Sequence, residues 1–249
     1  MPHNTGPPIL TATGTITYKL MSFLLHSTVT ARRVAGLTLV ACAVLVASRL
    51  VDASVAAAGS KLVASCLFLA VAVISGARKS RYGRIILVGL ACSWFGDMFL
   101  LVERPGFFLA GLVSFLIAHV AYIPAFSTYG QNDRWMLAAL LPVAAVSLAV
   151  TIWLGDYLPD DMVVPVRVYT FVISLMVIVA FGARGAGGPM LIPIGATLFY
   201  LSDLSVASLQ FTDPAFPHYV WGLPFYYTGQ LALALSVAWV GKKGTTAND

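Results

Sequence analysis

Charge is what this 249-residue chain lacks. Asp, Glu, Lys and Arg make up 10% of it, where a soluble globular domain carries about 25%. So few charges do not cover a water-facing surface of this size. A cytosolic enzyme, a nucleic-acid-binding module and a disordered tail protein are thereby excluded as the main reading. Cysteine is scarce as well. Cys42, Cys66 and Cys92 are odd in number and each lies inside an apolar run. They read as small buried hydrophobes, not as a disulfide framework. No Cys-x-x-Cys pair offers metal-ligand spacing. Residues 1–31 are rich in Thr, Ser and Pro and have no long apolar core, so they read as a flexible tail and not as a signal peptide.

What is present instead is apolar. Hydrophobic residues account for 59% of the chain, and the mean hydropathy is +0.87. A membrane-crossing helix needs about 20 mostly apolar residues. Eight such runs are found, at 34–50, 61–76, 84–102, 107–126, 135–154, 164–182, 189–209 and 219–240. The run at 61–76 is the weakest, being short and starting on a lysine. The connections are short and rich in Gly, Pro, Asp and Arg, as turns are. The expected fold is all-α: a polytopic membrane bundle of about eight transmembrane helices, forming one domain over 32–241 before a C-terminal tail at 242–249. With the N-terminus inside, 11 of the 15 Lys and Arg residues fall in cytoplasmic segments, and Arg49, Lys61, Arg104 and Arg167 on the other side. This bias places both termini in the cytoplasm, and the expected location of the multi-pass protein is the plasma membrane. The expected partners are the lipid bilayer and a lipid, not nucleic acid.

The chain also repeats itself. Gly89 precedes Asp97 by eight positions, as Gly195 precedes Asp203, and the two aspartates stand 106 apart. The same offset carries Lys61 onto Arg167. Gly111-Leu112 leads to His119 as Gly222-Leu223 leads to Gln230, eight positions in each case. A duplication of four helices, with halves at 34–126 and 135–240, accounts for these matches. An even-numbered unit keeps both halves in one orientation, which makes the repeat a parallel one.

Asp97 and Asp203 lie late in spans three and seven, where a carboxylate costs about 2.5–3.5 kcal/mol to insert. Such groups face a protein interior or a wet cavity. Repeat symmetry and depth bring Asp97, His119, Asp203 and Gln230 toward one cavity, with Lys61 near the level of the carboxylates. Helical spacing adds Ser93 to the Asp97 face, Tyr122 to the His119 face and Tyr226 to the Gln230 face. Each has a structural alternative: aspartates, amides and hydroxyls tie helices together, His119 packs, and Lys61 snorkels to the interface. Two carboxylates held in different surroundings supply one general acid and one general base. Such pairs break acetal-type bonds through an oxocarbenium-like state, and the natural substrate in a membrane cavity is a lipid.

At these residues the chain resembles the YhhN-like lysoplasmalogenase family of multi-pass membrane proteins. The strings that carry the resemblance are Ser93-Trp94-Phe95-Gly96-Asp97, the stretch from Gly111-Leu112 through His119 to Tyr122, Gly195 through Leu201-Ser202-Asp203, and Tyr226 four positions before Gln230. The likeness covers about residues 35–240. Lys61 matches a lysine that the family carries early in its second helix, although Leu62 follows where a proline is common. The resemblance implies hydrolysis of the vinyl-ether bond of a lysoplasmalogen, giving a fatty aldehyde and a glycerophospho-ethanolamine or -choline. It implies no metal and no cofactor. Asp97 and Asp203 are then the catalytic pair, in either order. Lys61, His119, Tyr122, Tyr226, Gln230, Ser93 and Ser202 form the substrate-binding set, with Lys61 on the phosphate as a point charge. The competing expectation is a transporter or carrier for a lipid or small metabolite using the same carboxylates. Transporters of that kind pair broken helices in both halves, and Pro124, Pro142, Pro193 and Pro224 show no such pairing. A non-catalytic membrane scaffold is a third possibility.

Overall fold

A computed structural model of the chain describes residues 12–102 and 104–243. Among the described residues there are eight α-helices and no strand: α1 (Ala12–Leu50), α2 (Ser54–Ile74), α3 (Arg81–Phe99), α4 (Pro105–Ser127), α5 (Asp133–Gly155), α6 (Asp160–Gly185), α7 (Leu191–Phe211) and α8 (Tyr219–Lys243). Helices follow from the solvent, because hydrocarbon offers no partner to a backbone N–H or C=O. Polar residues mark their starts. Ser80 Oγ accepts from the Gly83 N–H at 3.0 Å to cap α3, and Asn132 Oδ1 accepts from the Trp135 N–H at 3.3 Å to cap α5. Asp160 and Asp161 open α6, where negative charge meets the positive end of the helix dipole. α1 begins at Ala12, so part of the stretch expected as tail continues the first helix.

Six helices are long and apolar enough to cross a membrane: α2, α5, α6 and α7 in full, with 29–50 of α1 and 106–127 of α4. The protein is a multi-pass membrane protein. α2, the weakest span by sequence, qualifies because its helix starts at Ser54 and reaches 21 residues. α3 and α8 are not among the six. α3 carries Arg81, Arg84 and Asp97, and α8 carries Tyr219, Pro224, Tyr226, Tyr227 and Gln230. Both have several protein neighbours: α8 packs on α1, α2, α3 and α7, and α3 packs on α2, α4 and α8. A helix shielded in this way tolerates polar groups that a lipid-facing one does not. α5 is the opposite case, with only 11% of its apolar stretch buried.

Neighbouring pairs correspond under a shift of four helices: α1–α2 with α5–α6, α3–α4 with α7–α8, α2–α3 with α6–α7, and α2–α8 with α6–α4. The contacts of α8 with α1 and α3 have no counterpart of similar extent in the first half. The two halves are therefore not packed identically. Pro124, Pro142, Pro165 and Pro224 lie inside helices that continue through them, so none of the eight helices is split at a proline.

Close approach is provided by glycine. The backbones of α7 and α8 meet at Gly195 and Gly229, where a Cβ on either would come within 2.9–3.0 Å of the other's carbonyl oxygen. A Cβ at Gly89 would overlap the Tyr122 ring. Gly89→Ala is therefore expected to destabilise the protein by about 1–3 kcal/mol, as overpacking does. Thermal unfolding in detergent measures the loss.

Candidate active site

The site is built from the ends of helices on one face of the bundle. Late turns of α1, α3, α5 and α7 and early turns of α2, α4, α6 and α8 surround a cavity of about 430 Å³. That volume lies within the range of small-ligand sites, about 300–1,000 Å³. Its wall is mostly aliphatic and aromatic, including Leu45, Leu100, Phe108, Leu112, Leu154 and Ile173. Against this background Lys61, Asp97 and Asp203 all face the same space.

Asp97, on α3, is 2% exposed. Lys61 Nζ lies 3.5 Å from its Oδ1. Ser65 donates to Oδ2 at 2.7 Å, and Tyr226 of α8 donates to the same oxygen at 2.7 Å. Ser65 follows Lys61 by one helical turn, so α2 presents cation and hydroxyl on one face. Burial of the pair is supported by these hydrogen bonds, as a buried ion pair requires.

Asp203, on α7, has a different environment. Tyr169 of α6 donates to its Oδ2 at 2.6 Å, and Ser202 Oγ is 3.4 Å from Oδ1. The His119 Nε2 is 3.6 Å from Oδ2, beyond hydrogen-bond length. His119 is fully buried, held between the rings of Tyr169 and Phe199 at centroid distances of 5.2 and 4.5 Å. The Asp203 side chain is 15% exposed against 3% for Asp97, so it is the more open to the cavity.

Of the residues singled out by sequence, Lys61, Asp97, Ser202, Asp203 and Tyr226 line the cavity. Ser93, His119, Tyr122 and Gln230 do not. Phe115 closes the floor, with its ring 5.9 Å from those of Phe199 and Tyr226. Ser93, Tyr122 and Gln230 form a buried chain of their own. Tyr122 OH donates to Gln230 Oε1 at 3.0 Å, and Gln230 Nε2 donates to Ser93 Oγ at 3.1 Å. That chain ties α3, α4 and α8 together. Sequence reasoning missed Ser65 and Tyr169. Ser65 was within reach, being one turn from Lys61 on the same face. For Tyr169 the 106-residue offset pointed instead to Arg167, which borders a smaller cleft between α5 and α6.

Fold and site together define a helical membrane protein that encloses two carboxylates of unlike setting in an apolar cavity. The chain belongs to the YhhN family, whose model matches residues 56–237. It is similar to lysoplasmalogenase TMEM86B of Homo sapiens, with 32% identity over 157 residues, covering 62% of this chain and 64% of that protein. Lysoplasmalogenase TMEM86A of Bos taurus is 30% identical over 162 residues, covering 61% and 64%. A lysoplasmalogenase of Mycobacterium tuberculosis is 27% identical over 136 residues, covering 53% and 46%. The matched region thus spans less than two thirds of each of these relatives. No solved structure is significantly similar to the chain.

Proposed function

We propose that this protein hydrolyses the vinyl-ether bond of a lysoplasmalogen, releasing a fatty aldehyde and glycerophospho-ethanolamine or -choline. One observation carries this reading: Asp97 and Asp203 face the same cavity with different partners. The names of the similar proteins support the substrate class. The unbroken helices favour a fixed cavity over the transporter alternative.

Charge placement suggests which carboxylate is the acid. Lys61 lies within ion-pair distance of Asp97, and no Lys or Arg lies within that distance of Asp203 among the described residues. Asp97 has the cation beside it, so the proton belongs on Asp203, whose donors within hydrogen-bond distance are neutral hydroxyls. Asp203 then protonates the second carbon of the alkenyl chain. The carbon–carbon double bond supplies the electron pair, and the ether oxygen shares the positive charge left on the first carbon. Water adds to that carbon and passes a proton to Asp97. The hemiacetal breaks at the glycerol oxygen, which takes the hydroxyl proton, and the aldehyde leaves. Proton return from Asp97 to Asp203 resets the site. Tyr226 and Ser65 hold Asp97 in place, and Tyr169 and Ser202 hold Asp203.

Purified protein incubated with a 1-alkenyl lysophospholipid and with its 1-alkyl analogue tests the reaction. Aldehyde from the alkenyl lipid alone is the expected result; no aldehyde from either rejects the reading. Tyr169→Phe removes a hydrogen bond to a carboxyl group, an interaction of about 1.5–3 kcal/mol when charged. It should lower kcat about tenfold or more while leaving KM nearly unchanged, as steady-state kinetics will measure. On the basic-residue bias of the loops we also assign both termini to the cytoplasm, and we propose the plasma membrane as the protein's location. The cavity then opens toward the outer leaflet.

A further inference from the structure

The wall of the cavity is not uniform, and its two ends differ in chemistry. α1 packs on α2 and α5 on α6, with no extensive packing between the two pairs among the described residues; the first pair gives one end of the wall Leu45, Arg49 and Lys61, and the second gives the other end Val150, Leu154, Val166 and Thr170. Arg49 is exposed, lies in the last turn of α1, and lines the cavity. No carboxylate lies within ion-pair distance of it among the described residues. Lys61 has Asp97, so the α1–α2 end carries two cations against one carboxylate. Asp52 of the α1–α2 turn does not line the cavity, so no second carboxylate on that part of the wall matches Arg49. The opposite end continues outward. Val150, Leu154, Val166 and Thr170 also border the small cleft between α5 and α6, and α5 is the helix with the least buried apolar stretch. Asp97 meets Lys61 of α2, and Asp203 meets Tyr169 of α6.

We propose that Arg49 is the phosphate anchor of the site, fixing the lipid with its headgroup against α1–α2 and its chain running toward the α5–α6 seam. A guanidinium matches two phosphate oxygens with parallel N–H donors, whereas Lys61 is committed to Asp97. The glycerol then spans the short distance between anchor and carboxylates, and the first bonds of the chain meet Asp203. The orientation rests on the hydrolase reading for the identity of the lipid, but anchoring is measurable without turnover. The assignment differs from the sequence expectation, which put the phosphate on Lys61.

The test is direct binding of a saturated 1-alkyl lysophospholipid, which has no vinyl ether to cleave, to wild type, Arg49→Gln and Arg49→Lys. A 1-alkyl glycerol of the same chain length is the phosphate-free control. Arg49→Gln should weaken the phospholipid tenfold or more and leave the alkyl glycerol within about twofold. Arg49→Lys, which keeps charge without the fork, should fall between. Equal losses for both ligands, or no loss for either, overturn the assignment. Inorganic phosphate at millimolar concentration should not displace the alkyl lysophospholipid from wild type. Displacement would mark a free-anion site and overturn the headgroup assignment. Aldehyde release from an alkenyl lipid by the same preparations reports separately on hydrolysis, so the two claims fail independently.

Discussion

Asp203→Asn is expected to lower aldehyde release by a factor of about 10²–10⁴, the usual contribution of a positioned general acid. The substitution keeps the shape of the side chain and one oxygen that accepts from Tyr169. It removes the transferable proton. Protonation of a carbon is the difficult step of vinyl-ether hydrolysis, and an amide does not supply it. The side chain is partly open to the cavity and paired with no lysine, so the variant should fold and melt like wild type. A thermal scan in detergent beside the kinetic assay separates lost chemistry from lost structure. Undiminished kcat in this variant would remove Asp203 from the mechanism.

The second large effect concerns stability. Lys61→Met should destabilise the protein by about 3–5 kcal/mol, the consequence of leaving one member of a buried ion pair alone. Asp97 would keep the donors Ser65 and Tyr226 but lose its cation. For a chain of this size each kcal/mol is worth roughly 2–4 °C in Tm, so the fall is on the order of 10 °C. Lys61→Met combined with Asp97→Asn should recover most of that loss, because both charges are gone and no buried carboxylate is left exposed to an apolar wall. The double variant should be stable and inactive. A double variant as unstable as the single one would show that the pair does not carry the stability assigned to it. The cycle of four proteins in one detergent isolates the coupling.

The carboxylates were legible in the sequence because a charge within an apolar run is conspicuous and costly. Lys61 stood out for the same reason. The hydroxyls that position them did not, since Ser and Tyr are ordinary in membrane helices and gain meaning only from rotational register. Depth along a helix placed His119, Tyr122 and Gln230 near the aspartates, but depth does not reveal which side of an aromatic floor a residue occupies. His119 follows Phe115 by one turn, and that turn puts it behind the cavity wall. α8 was read as a span like the others. Its tyrosines and Gln230 reflect its packing on four neighbouring helices, which is set by tertiary structure and not by local pattern. Arg49 read as a topology signal because a cation at a helix end is common. Its place on a cavity wall depends on how α1 leans against α2.

Hydrolysis of a 1-alkenyl lysophospholipid in D₂O, followed by mass analysis of the aldehyde, tests the central claim most directly. Transfer of a solvent-exchanged proton from Asp203 to carbon should leave a single deuterium next to the carbonyl carbon in the wild-type product, with a slower rate than in H₂O. An aldehyde formed without deuterium at that carbon would contradict carboxyl-driven protonation of the double bond.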